Sequence, residues 1–215
     1  MNAILATAYP LPSILGASTG TSAPSRRKSI GEFLLGNQEL DRFNQLLGRL
    51  GRPHPPLALD QLATAAREIN RSQDSTAQPC IAQRIQRSET VAAMVADTAW
   101  AIQDETQATA RLVLDYVSGL EKLIPAWLPK VGRLDDAIVV DAAWPVLVPE
   151  VQGYLDFCRL RHLQAELRAC NDHDFSFTRK DWIEARQLEA ALQAQRRRIR
   201  ESSYLPALSN CFRVH

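Results

Sequence analysis

The chain has 215 residues, 46% of them hydrophobic and 23% charged, a balance that suits a soluble globular protein with one good core and room for an appendage. Its 25 basic residues against 24 acidic ones leave a formal charge of +1. That excludes a chain-wide attraction to nucleic acid or anionic lipid and leaves such work to local patches. Four cysteines, Cys80, Cys158, Cys170 and Cys211, form no C-x-x-C pair. Cys158 and Cys170 lie about 18 Å apart along one expected helix, too far to bond, so a reducing, cytoplasmic setting is expected.

No acidic residue precedes Glu32, and the opening stretch is rich in Ser, Thr, Ala and Pro. Pro10 and Pro12 break its apolar run and no basic residue comes before it, which argues against a secretory signal. A disordered tail over residues 1–30 is expected, with a targeting or export role for residues 1–28 as the alternative. A membrane-spanning helix needs roughly 20 apolar residues. The best inner candidate, residues 137–149, is interrupted by Asp141 and Pro145.

Next, Asn37 is placed to cap a helix with an apolar face of Leu40, Phe43, Leu46, Leu47 and Leu50, closed by Gly51 and Pro53. A second helix is predicted from about Asp60 to Arg71 on Leu62, Ala65, Ala66 and Ile69, followed by a polar loop over residues 72–79 and a short helical turn at 81–85. Ser88 reads as the N-cap of the longest helix, which carries Val91, Met94, Val95 and Ile102 and resumes with Leu112, Val113, Tyr116, Val117 and Leu120. The polar stretch 103–109 is expected to be a kink or an exposed middle in it.

A helix is predicted to begin at Asp135 or Asp136 and to bend or end at Pro145, with Pro149 opening another that runs to about Cys170. Asn171-Asp172-His173-Asp174 reads as capping and turn chemistry. Thr178 and Asp181 resemble a capping box for the last helix, whose single narrow seam is Trp182, Ala185, Leu188, Leu192 and Ile199. Nothing reads as a strand, and there is no internal repeat.

The connection Leu123-Ile124-Pro125-Ala126-Trp127-Leu128-Pro129-Lys130-Val131-Gly132-Arg133-Leu134-Asp135-Asp136 resembles the YkvA-like family. That pattern is L-I-P, three residues, a second Pro, two residues, Gly, one residue, then L-D-D and an apolar helix, here Ala137-Ile138-Val139-Val140. The resemblance covers about residues 112–160. It implies a small helical hairpin, of a kind often found in proteins thought to be membrane-associated, with no established activity. Family members usually carry an acid before L-I-P and another after its Pro, where this chain has Lys122 and Ala126.

Read physically, Pro125 and Pro129 keep the chain extended and stop helix propagation, Gly132 supplies a backbone shape that a Cβ resists, and an Asp caps the new helix. The competing reading makes Asp135 and Asp136, with Asp141, a cation or proton site. It lacks a further acid, His or Cys in register, so no metal, cofactor or catalytic residue is assigned. Cys158, His162 and Glu166 recur every four residues, yet a zinc site needs three or four ligands, and a cysteine nucleophile with a histidine base is no better supported. Phosphate-cradle, G-x-S-x-G and H-E-x-x-H motifs are absent.

Arg196, Arg197, Arg198 and Arg200 complement the dipole at the end of the last helix or form a patch for an anionic partner. No aromatic residues interleave with them, which disfavours nucleic acid.

The expected fold is an all-α bundle of five to seven helices with a disordered N-terminal tail. Its expected segments are 1–30 (tail), 31–86 (N-terminal helices), 87–170 (YkvA-like core) and 171–215 (amphipathic helix and tail). The expected function is a non-enzymatic interaction or scaffold role, with a protein partner or a second copy of the chain bound through the C-terminal helix, and a membrane surface as a further setting. Two alternatives stand beside it: a metal-dependent or hydrolytic enzyme using Asp135 and Asp136, and an exported bacterial effector with an N-terminal secretion signal.

Overall fold

A computed structural model describes residue 5 and residues 9–17, 28–71, 79–171 and 175–203. Among them are six α-helices: α1 (Asn37–Arg49), α2 (Leu59–Arg71), α3 (Pro79–Ala96), α4 (Asp104–Ser118), α5 (Leu134–Leu167) and α6 (Arg179–Ser203). The all-α expectation holds. Contacts group the chain into two compact units, Met1–Asp156 and Phe157–His215, where four segments were expected; the boundary lies inside α5. None of the described helices is long and apolar enough to cross a membrane.

The first unit is a helical bundle. α1 buries Leu40, Phe43 and Leu47, and α2 buries a broad face that includes Leu62, Ala63, Ala65, Ala66 and Ile69. Every residue from Leu134 to Val140 is buried, so the start of α5 is enclosed on all sides, as a helix without a polar face must be. Two carboxylates, Asp135 and Asp136, go into the core with it.

Several expectations are corrected. Part of the stretch expected to be a tail is packed: Ser13–Gly16 form a 3-10 turn that buries Leu15. Gln61 Nε2 donates to the Ile14 and Ala17 carbonyls at 3.1 and 2.9 Å, and Arg52 donates to the Leu15 carbonyl. The rest of the tail, with any signal in it, lies outside the described residues. A short hairpin also forms, with β1 (Ser29–Ile30) pairing antiparallel to β2 (Phe33–Leu34). Gly31, at φ +60°, takes the left-handed turn position that a side chain resists. The cap of α1 is Gly36, not Asn37.

Ser88 does not start a helix. α3 runs through it, because its hydroxyl donates to the Ile85 carbonyl at 2.7 Å inside the helix. The break comes later, where Asp97 accepts from the Ala99 amide and Ala101 turns to φ +48°, so α3 and α4 are separate helices. The prolines of α5 neither end nor restart it. Pro145 and Pro149 are both exposed, so the carbonyls of residues 141 and 145, which lose their i+4 donors, lie on the outer side. Ala143, Trp144, Leu147, Val151 and Tyr154 hold the buried side of the same stretch.

In the second unit, the end of α5 leads through a loop into α6. Phe177 stacks on Phe157 at 5.5 Å and on Phe175 at 5.9 Å, with the guanidinium of Arg161 over Phe157 and that of Arg168 over Phe175. The expected capping box forms: the Thr178 amide and hydroxyl both donate to Asp181 Oδ2, at 2.8 and 2.7 Å. Those bonds hold the exposed Asp181 carboxyl below its ordinary pKa. Asp172, His173 and Asp174 lie outside the described residues.

Candidate functional site

The L-I-P to L-D-D connection is a compact run of turns, which corrects the extended chain expected from Pro125 and Pro129. The Leu128 amide donates to the Pro125 carbonyl, Val131 to Pro129, Gly132 to Leu128 and Leu134 to Val131. Lys130 and Arg133 take left-handed backbone angles of +61° and +69°. Gly132 is required for a different reason from its φ: a Cβ there would sit 2.3 Å from the Ala126 carbonyl oxygen and 2.8 Å from that of Leu128. The turns therefore close on a glycine because backbone packs on backbone. Leu123, Ile124, Leu128, Val131 and Leu134 are buried beneath, while Trp127 lies outside, edge-on to Phe33 at 6.4 Å.

Asp135 and Asp136 sit inside the first turn of α5, where negative charge suits the helix dipole, rather than at its cap. Being adjacent on a helix, they reach different partners. Asp135 Oδ2 accepts from the Tyr116 hydroxyl at 2.6 Å and from the Leu123 and Ile124 amides at 3.0 and 3.1 Å. Its other oxygen, Oδ1, is buried with no hydrogen-bond partner among the described residues. Burial pushes the Asp135 carboxyl above the usual carboxylate range, and burial beside that carboxyl pushes the Tyr116 phenol up as well. Asp136 is 1% exposed and is held by Lys122 Nζ at 2.6 Å and Arg133 Nε at 2.9 Å.

Lys122 also donates to the Tyr116 and Val117 carbonyls, so one ammonium closes the end of α4 and pairs with the start of α5. The residue that departs from the family pattern is thus the clasp of this junction. Beside it lies a groove of about 690 Å³ between α1 and α4, lined by Phe43, Leu46, Leu112, Tyr116 and Lys122 among others. On its rim Arg42 reaches both Glu39 and Glu121.

Asp141 is drawn elsewhere. Arg84, 1% exposed, donates to Asp141 Oδ1 from Nε at 2.9 Å and from Nη2 at 2.7 Å, and it also donates to the Tyr9 carbonyl. The fully buried Arg87 lies over the Trp144 ring at 4.3 Å, and burial lowers its pKa. The sequence reading missed these residues and Tyr116. For the arginines a signal exists, since Ile81, Arg84, Val91 and Met94 keep the helical apolar period and are all buried. Asp135, Asp136 and Asp141 therefore form no common site. Among the described residues no three His, Cys, Asp or Glu side chains gather as metal ligands, and His162 and Glu166 make an exposed pair at 3.6 Å.

α6 is the other candidate. Arg196, Arg197, Arg198 and Arg200 are exposed near its end, as is every residue from Gln187 to Glu201. Its seam is exposed with them: Leu188 by 67%, Leu192 by 56% and Ile199 by 58%. No protein-family model, curated protein or solved structure matches this chain.

Proposed function

We propose that the protein is a non-enzymatic interaction protein that works through α6, which receives an α-helix of a protein partner. The single observation that carries this is the exposure of Leu188, Leu192 and Ile199 on a helix that is exposed all round from Gln187 to Glu201. At about 100° per residue these three leucine-sized side chains and Ala185 fall within about 60° of the helix circumference. That is the width of a seam between two helices, and it is narrow for a helix lying in a lipid surface, which needs a broad apolar face. The flanks name the chemistry of the partner: acids beside the first half (Glu184, Glu189) and arginines beside the second (Arg196, Arg198) call for the opposite order.

The Asp135/Asp136 junction supports the framework in this reading, since both carboxylates are buried in bonds that tie α4 to α5. The family resemblance and a cytoplasmic setting remain part of the proposal and rest on the motif and on the absence of a C-x-x-C pair respectively.

A photoreactive amino acid in place of Leu188 or Leu192, activated in the native cell, tests this. It is expected to yield covalent adducts with a polypeptide. Adducts with lipid alone, or none from either position, would overturn the reading.

A further inference from the structure

We propose that a groove on the first unit is a peptide-binding site, and that residues 9–17 fill it as a detachable ligand carried by the same chain. This is independent of α6. Among the described residues, each hydrogen bond joining the segment to the bundle runs from a side chain to one of its main-chain carbonyls. Arg84 of α3 donates to Tyr9, Arg52 after α1 to Leu15, and Gln61 of α2 to Ile14 and Ala17. Arg84 and Gln61 are both buried, so donors from separate elements converge on one stretch of backbone. That is how a site holds a peptide, not how a helix or sheet continues.

The segment brings little of its own to the core. Leu15 is its one buried side chain, while Tyr9, Pro10, Ser13, Gly16 and Ala17 are exposed. Pro10 and Pro12 fix its backbone in advance, which lowers what docking costs in conformational freedom. A cleft of about 400 Å³ is lined jointly by Pro10, Pro12 and Leu15 of the segment and by Arg84, Ile138 and Asp141 of the bundle. Core elements pack on one another without such space.

One side chain separates docking from folding. Gln61 Oε1 accepts from the Ala58 amide at 2.9 Å and so caps the start of α2, while Nε2 serves the segment. In Q61E the acceptor stays, and a carboxylate in the first turn suits the helix dipole. The former donor becomes an oxygen set against two carbonyl oxygens that native Nε2 binds at 3.1 and 2.9 Å. The variant therefore keeps the bundle and repels the segment.

One buried leucine and four hydrogen bonds must offset the ordering of the segment, so as a free peptide it is expected to bind with a Kd of about 0.1 mM. A tether as short as residues 18–27 supplies an effective concentration on the order of 1 mM. The chain's own segment is then docked roughly nine-tenths of the time, near enough to balance for a competing peptide to displace it.

The test uses the full chain with a protease site inserted between Gly20 and Thr21, cut after folding and dialysed to remove the fragment. The cut protein is expected to keep its helicity by circular dichroism. A fluorescent peptide of residues 9–17 is expected to bind it with a Kd of about 0.1 mM, and to bind the uncut chain about tenfold more weakly because the chain's own segment competes. Q61E, cut in the same way, is expected to keep its helicity and to bind at least about tenfold more weakly, and an L15D peptide is expected to lose binding. A fragment that leaves only when the bundle unfolds, binding to the cut protein weaker than about 1 mM, or equal binding by Q61E or by the L15D peptide would overturn the proposal.

Discussion

Asp135 enters the core with three donors on one carboxylate oxygen and none on the other, and burial raises its pKa in the fold. In the unfolded chain the group titrates near about pH 4. Folding therefore takes up a proton at Asp135 between that pH and its raised value. The stability it contributes is full below about pH 4 and is lost as pH rises through the folded-state value. D135N is neutral throughout, so the unfolding free energy of the native chain minus that of D135N is expected to fall as pH rises above about 4. Urea denaturation from pH 4 to 8 reads this directly, and a difference that stays flat or rises would contradict it. At Gly132 the obstacle is steric. G132A pushes a methyl group against two backbone oxygens and is expected to cost about 1–3 kcal/mol, the range for overpacking where neighbours cannot move. A loss below about 0.5 kcal/mol would mean that the turns relax freely.

At this scale the L-D-D motif and its glycine were visible in the sequence but their partners were not. Lys122 lies 14 residues from Asp136, and Arg84 lies 57 from Asp141. Nothing local announces a pair that only tertiary folding brings together.

Helices were legible wherever a period of 3.6 and a terminal signal agreed, as for α1, α2 and the Thr178–Asp181 start of α6. They were misread wherever a local signal was overruled by packing. Ser88 looks like a cap, but its hydroxyl is satisfied within α3. Pro145 and Pro149 look like boundaries, but the buried side of α5 is continuous past both. The packing that carries α5 through its prolines offsets up to about 3 kcal/mol at each. P149A, on the exposed side, restores a donor to the Pro145 carbonyl and is expected to raise stability by about 1–3 kcal/mol in thermal or urea denaturation. A loss of stability would mean that α5 depends on the bend a proline imposes.

The whole molecule divides its work between the two units. In the first, buried ions are spent on joining helices: Lys122–Asp136 links α4 to α5, and Arg84–Asp141 links α3 to α5. The desolvation of each buried partner offsets much of what its pairing gains, so these pairs add little to the net stability of the bundle. The second unit exposes what the first hides, a leucine seam flanked by acids along its first half and arginines along its second. That much was legible, because a seam too narrow for a core is a sequence pattern. Its exposure was not, because nothing in the sequence says whether the same chain will cover it.

Hydrogen exchange of the full chain, followed amide by amide along α6 alone and in complex with the polypeptide captured from Leu188, tests the central claim most directly. The account predicts that protection of Gln187–Glu201 rises in the complex and fails to rise in L188S/L192S, while the first unit exchanges identically in both. Fast exchange of that stretch in the complex, or protection that ignores the two substitutions, would contradict it.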